Sequence, residues 1–175
     1  MISCPSRSAE KKSRGQPRQV PEKRKSARSD SCDGSYGLTP DAGGNFTGVT
    51  AHGGLRWVAG WSAATEIFGQ TLASPLVAGR TYRIGGFFHM AQRSDLRNAG
   101  SYQVSLAADT SRTDEEILGT FCLVNVQRWE PRSFTFVAPA NAASLPVLIF
   151  TPVRGIAHAY PGVDDLTLTD VTPCS

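Results

Sequence analysis

Several absences narrow the reading of this 175-residue chain. No lysine follows Lys25, so every cation from residue 32 onward is arginine, a bias of coding rather than a chemical requirement. The first thirty residues contain no Trp, Phe or Tyr. That segment cannot bury enough apolar surface to offset the entropy of ordering a chain. No stretch approaches the roughly 20 consecutive apolar residues of a membrane span, and no continuous apolar h-region of a signal peptide is visible near the N-terminus. No segment sustains a 3.6-residue apolar repeat, and the one helix candidate, "TSRTDEEIL" (110–118), is short.

Catalytic signatures are missing as well. The sequence has no G-x-S-x-G, no H-E-x-x-H and no P-loop. Its three histidines, His52, His89 and His158, show no paired metal spacing. Cys4, Cys32, Cys122 and Cys174 match no C-x-x-C pattern. A bridge between Cys32 and Cys174 would tie the ends of the body together, and unpaired thiols are the other open reading. Cys122 falls in an apolar run, where a thiol is ordinarily inert.

Charge divides the chain in two. Residues 1–31 hold nine of its 18 cations against three of its 15 acids, so a basic tail precedes a mildly acidic body. We expect a disordered tail over 1–31 and one folded domain over 32–175. A nucleic-acid arm is the functional alternative for the tail, since clustered cations release counterions on binding phosphates. With no aromatic residue between the charges for base stacking, the solvated tail is the preferred reading.

The body reads as short β-rich segments punctuated by turns: 44–51, 65–73, 80–91, 101–109, 116–124, 132–139, 145–153 and 162–171. Such a series predicts an all-β, antiparallel sandwich or barrel. In "RTYRIGGFFHMA" (80–91), Tyr82, Ile84, Phe88 and Met90 alternate with Arg83, Gly85, Phe87 and His89. Trp129, Phe134 and Phe136 are assigned to the core.

The order of landmarks carries a resemblance. "EIFGQTLASPLVAGRTYRIGGFF", "SYQVSLAAD", "WEPRSFTFVAPANAASLPVLI" and "YPGVDDLTLTDV" follow one another over about 44–171. In this order they resemble the jelly-roll, galactose-binding-like carbohydrate-binding modules. The resemblance implies a non-catalytic domain that binds a polysaccharide or glycan, in an extracellular, bacterial setting. The chain departs from the pattern at its start, where the usual first strand with an Asn and a Phe-Glu pair is not seen before Gly44. A structural or adhesion module of the same fold is the competing reading.

Sugar recognition needs flat apolar faces for ring C–H surfaces and a few polar groups for hydroxyls. The stretch "HGGLRWVAGWSAA" (52–64) offers Trp57 and Trp61 among glycines. The non-core faces of 80–91 and 101–109 offer Arg83, Phe87, His89 and Gln103. The doubled carboxylate Asp164–Asp165 opens the last strand. Parity with Leu166 and Leu168 points Asp164 inward, where a buried charge needs partners. In the modules this chain resembles, an Asp here holds a structural calcium or hydrogen-bonds a neighbouring turn; the hydrogen-bonding device is preferred. Catalysis is disfavoured, because adjacent strand residues face opposite ways and cannot flank one glycosidic bond.

Overall fold

The computed structural model describes residues 30–31 and 37–39 as strand backbone, and residues 50–54, 57–63, 66–90, 98–153 and 159–173 in full. Ten strands occur among them: β1 (Asp30–Ser31), β2 (Gly37–Thr39), β3 (Trp57–Ala59), β4 (Phe68–Thr71), β5 (Thr81–Met90), β6 (Tyr102–Ala107), β7 (Glu116–Thr120), β8 (Glu130–Val137), β9 (Val147–Pro152) and β10 (Pro161–Asp170). A single 3₁₀ turn, Ala142–Ser144, is their only helical element. The segment read as a helix candidate forms instead the turn before β7 and its first residues. Local bonds from Ser111 and Thr113 to Asp109 hold that turn and offer the backbone an alternative to a helix.

All pairing is antiparallel, in two sheets. The first runs β1-β4-β9-β6-β7 and the second β2-β3-β10-β5-β8, so the expected antiparallel sandwich is the observed architecture. β1 falls inside the segment expected to be tail, and the candidate strand 44–51 lies almost wholly outside the described residues.

Between the sheets lies one core, in which Ile84, Phe88 and Met90 of β5 meet Val104 and Leu106 of β6, Phe150 of β9 and Val163 of β10. Alternation along each strand dictates this, since every second residue faces the partner sheet. Buried Tyr102 spans the layers, donating its hydroxyl to the Pro161 carbonyl at 2.7 Å. Its burial pushes the phenol well above its usual range.

The alternation breaks once. Asp164 pairs with Phe87 and Thr167 with Gly85, so Asp165 and Leu166 of β10 together oppose the single Gly86 of β5. This is a β-bulge. Leu166 turns into the core over Gly86, whose missing side chain makes the room. Asp165 takes up the bulge with φ 48, a conformation uncommon outside glycine. The parity argument for Asp164 fails here: the residue shares the outer face of the second sheet with Phe87.

Candidate functional site

On that outer face, the side chains above β5 and β10 form a second, smaller aromatic core. Trp57, Ala59 and Tyr160 are buried there, with Ala51 and Trp129 packed against them. His89 stands between the two indoles, edge-on to Trp57 and to Trp129 at centroid distances of 4.2 Å each. Gly162, directly across from His89, lets the rings settle: a Cβ on it would run into both the His89 and Trp57 rings. Burial lowers the His89 pKa from 6.5 to about 4. Neither ring nitrogen reaches a hydrogen-bond partner among the described residues. The Met90 backbone lies near enough to favour the proton a little, without hydrogen-bonding geometry.

A strap, residues 50–54, crosses this cluster. The Trp129 Nε1–H donates to the Thr50 carbonyl at 2.8 Å. The His52 ring stacks on Phe87 at 3.5 Å, and its Nδ1 lies 2.8 Å from Asp165 Oδ2. Gly53 N–H donates to Asp164 Oδ2 at 3.0 Å, while Asp164 Oδ1 accepts from the Asp165 amide at 2.8 Å. Glycine at 53 permits this close approach, because a Cβ would lie 2.6 Å from both Asp165 carboxylate oxygens and the carboxylate or the strap would have to shift. The doubled carboxylate is thus a hydrogen-bonding device that fastens a loop to a sheet.

The structure separates the residues singled out for sugar binding. Trp57 is 2% exposed and His89 is wholly buried, so neither offers a face to a ligand in this conformation. Phe87 lies under His52. Arg83 is exposed on the same outer face, beside Thr135 and Thr169. Gln103 does not join them: β6 belongs to the other sheet, with Gln103 flanked by Thr151 and Thr120. Trp129, assigned to the core by its sequence neighbours, belongs instead to the outer aromatic cluster.

Trp61 is different, with 37% of its surface exposed. Its amide donates to Glu66 Oε2 at 2.7 Å, which ties it to the residue leading into β4. A Cβ on the preceding Gly60 would sit 2.6 Å from the Glu66 carbonyl and 3.0 Å from Pro152. Trp61 therefore stands at an end of the sandwich, where its neighbours Gly60 and Ser62 donate to Pro161 and Ala159 at and just before the start of β10, while Glu66 and Pro152 lie on the side of the first sheet. Along the outer face of that first sheet, Ser105 Oγ donates to Glu115 Oε1 at 2.5 Å and Arg112 Nε to Glu115 Oε2 at 2.7 Å.

Calcium was the alternative reading of Asp164 and Asp165, and their oxygens face the N–H groups of the strap and the bulge. Among the described residues no group of three or more His, Cys, Asp or Glu could hold a metal ion. A calcium ion here would have to displace those N–H donors. Cys122, half-buried just beyond β7, is disulfide-bonded, which overturns the inert-thiol reading; its partner lies outside the described residues, as do Cys32 and Cys174. The basic tail likewise lies outside the described residues, except for β1. No helix among the described residues is long and apolar enough to cross a membrane.

Sequence reasoning missed the strap. Its available signal was the Gly53–Gly54 pair after His52: Gly53 allows a close approach and Gly54 has φ +72.

No protein-family model and no curated protein matches the sequence. Solved structures do. The CBM22-1 xylan-binding domain of Paenibacillus barcinonensis Xyn10C is 13% identical, covering 83% of this chain and 87% of its own, with TM-score 0.55. The CBM22-2 xylan-binding domain of the same protein is 14% identical, covering 82% and 91%, with TM-score 0.51. The Stig cyclase Fisc of Fischerella sp. TAU, 19% identical over 87% of this chain and 80% of its own, reaches a TM-score of 0.48. At such identities the likeness speaks for fold, and the fold is the jelly-roll sandwich of carbohydrate-binding modules.

Proposed function

We propose that this protein is a non-catalytic carbohydrate-binding module that holds a polysaccharide against Trp61. The observation that carries the reading is an exposed indole, anchored by its backbone to Glu66, at the end of a sandwich whose fold is shared with two xylan-binding domains. An indole face suits the C–H surface of a pyranose, and the half-buried Gln103 amide beyond it can both donate to and accept from sugar hydroxyls. The disulfide at Cys122 supports an oxidising, extracellular setting.

Affinity electrophoresis through gels containing soluble xylan, with parallel gels of other plant polysaccharides, tests the reading. We expect retardation of the native protein by at least one polysaccharide and its loss in Trp61→Ala. Free migration in every gel would leave the structural or adhesion reading in its place. Thermal unfolding with and without EDTA measures any structural calcium at Asp164 and Asp165, and we expect no shift in Tm.

A further inference from the structure

His89 poses a question that the Trp61 reading leaves open. A fully buried imidazole with no hydrogen-bond partner for either nitrogen among the described residues is unfavourable, and an apolar ring of similar size would avoid that penalty. The strap crosses the aromatic cluster around it, with Ala51 packed on that cluster and three polar contacts, from Trp129 to Thr50, His52 to Asp165 and Gly53 to Asp164, holding it down. It also sets a flat ring, His52, on Phe87, and presents N–H groups to the carboxylates of Asp164 and Asp165. A pyranose makes that same set of contacts, a flat face on an aromatic ring and a rim of hydroxyl donors toward carboxylates. Asp165, which anchors one end of the latch, holds a left-handed φ of 48 at the bulge, and strain of this kind collects at clamps and switch points.

We propose that residues 50–54 are a hinged cover over a second saccharide subsite on the outer face of β5 and β10, in which the strap stands in for the sugar. This rests on the carbohydrate reading and deepens it. When the strap lifts, Phe87 and Trp129 present ring faces. Asp164 and Asp165 accept hydroxyl hydrogens in place of the Gly53 amide and His52. His89 supplies one donor and one acceptor as a neutral imidazole. Trp129 is released in the same movement, since its indole N–H is bonded to Thr50. The closed strap weakens the apparent affinity by the fraction of molecules in which it is open.

Gly53→Ala tests this by loosening the latch, because the new Cβ would lie 2.6 Å from both Asp165 oxygens and the strap and that carboxylate must move apart. Calorimetric titration with xylo-oligosaccharides and xylan gels would compare native protein, Gly53→Ala, Trp61→Ala, Gly53→Ala/Trp61→Ala and Gly53→Ala/Trp61→Ala/His89→Phe. We expect opening to tighten binding about tenfold, corresponding to a strap open in about one molecule in ten. The double variant is expected to retain binding that Trp61→Ala lacks, and His89→Phe to remove it. Binding unaffected by Gly53→Ala in a folded protein, judged by circular dichroism, overturns the proposal and leaves the Trp61 site standing. A native protein and an opened variant that both bind nothing overturn the carbohydrate reading itself. Should Gly53→Ala fail to fold, His52→Ala, which removes the stack and the Asp165 contact together, takes its place with the same expected outcomes.

Discussion

Trp57 and Trp61 lie four residues apart in one glycine-bounded stretch, yet one is 2% exposed and the other 37%. Both belong to one stretch that carries three glycines, Gly53, Gly54 and Gly60. What separates them is the chain that passes overhead. Trp57 begins β3 and projects from the outer face of its sheet, where the strap closes over it. Trp61 comes after Gly60, beyond the last residue of β3, and among the described residues it is held by its amide, bonded to Glu66. An aromatic residue's role in this fold is set by what covers its sheet face, a long-range property, rather than by the residues adjacent to it.

The strongest attempt to break the comparison is to truncate both rings. Trp57→Ala is expected to cost about 3–5 kcal/mol in denaturant unfolding, as for a large aromatic removed from a packed core. Trp61→Ala is expected to change stability by about 0.5 kcal/mol while abolishing retention on xylan. A Trp57→Ala protein of native stability with lost sugar binding would reverse the two assignments.

A slightly smaller effect should appear with pH. His89 is pushed to about 4 by burial, whereas in the unfolded chain it titrates near 6.5. Unfolding therefore takes up a proton below that value, so this contribution to stability is complete above pH 6.5 and falls as pH drops toward 4. Two and a half units correspond to about 3 kcal/mol at most. The ionisable groups on that side, Asp164, Asp165 and Arg83 on the sheet and His52 on the strap, stay in place in His89→Phe. Chemical unfolding at pH 7.5, 5.5 and 4.5 should show a decline in the native protein and a markedly shallower one in His89→Phe. Parallel slopes would mean that the imidazole is hydrated, and that the cluster around Trp57 is as open as the rim at Trp61.

Substituting Gly162 sharpens the same point. Its absent side chain is what allows the rings of Trp57 and His89 to occupy one place above β10. Gly162→Ala should destabilise by about 1–3 kcal/mol through overpacking, with an altered near-ultraviolet tryptophan spectrum. An unchanged spectrum and stability would show that the cluster is loosely packed.

How far the sequence allowed these distinctions is clear from individual elements. Strands β4 through β10 were legible as short β-rich runs bounded by turn residues, with a clear alternation in β5 and β6. β3 was not: three residues, Trp-Val-Ala, are too few to establish a period, and glycines on either side read as loop. The alternation of β5 and β6 assigned Arg83, Phe87, His89 and Gln103 to outer faces correctly. It could not reveal that two strands adjacent in sequence lie in opposite sheets, which is a property of the jelly-roll crossover. The bulge was equally hidden. One extra residue in β10 reverses the parity from Asp164 onward, and Gly86, the residue that accommodates it, belongs to a different strand.

Arg83 should give the smallest effect, and it separates the faces most directly. It is exposed on the outer face of the second sheet, beside Thr135 and Thr169, whereas Trp61 stands at an end of the sandwich, its amide bonded to Glu66 on the side of the first sheet. A sugar held at Trp61 and reaching toward Gln103 runs along the opposite side of the sandwich from Arg83. Arg83→Ala should therefore leave stability within about 0.5 kcal/mol of native and xylan retention unchanged. A loss of retention comparable with that of Trp61→Ala would place the ligand across the outer face of β5. The strap would then border the principal site rather than cover a second one, since Phe87, under His52, is the next outward-facing aromatic along β5 from Arg83.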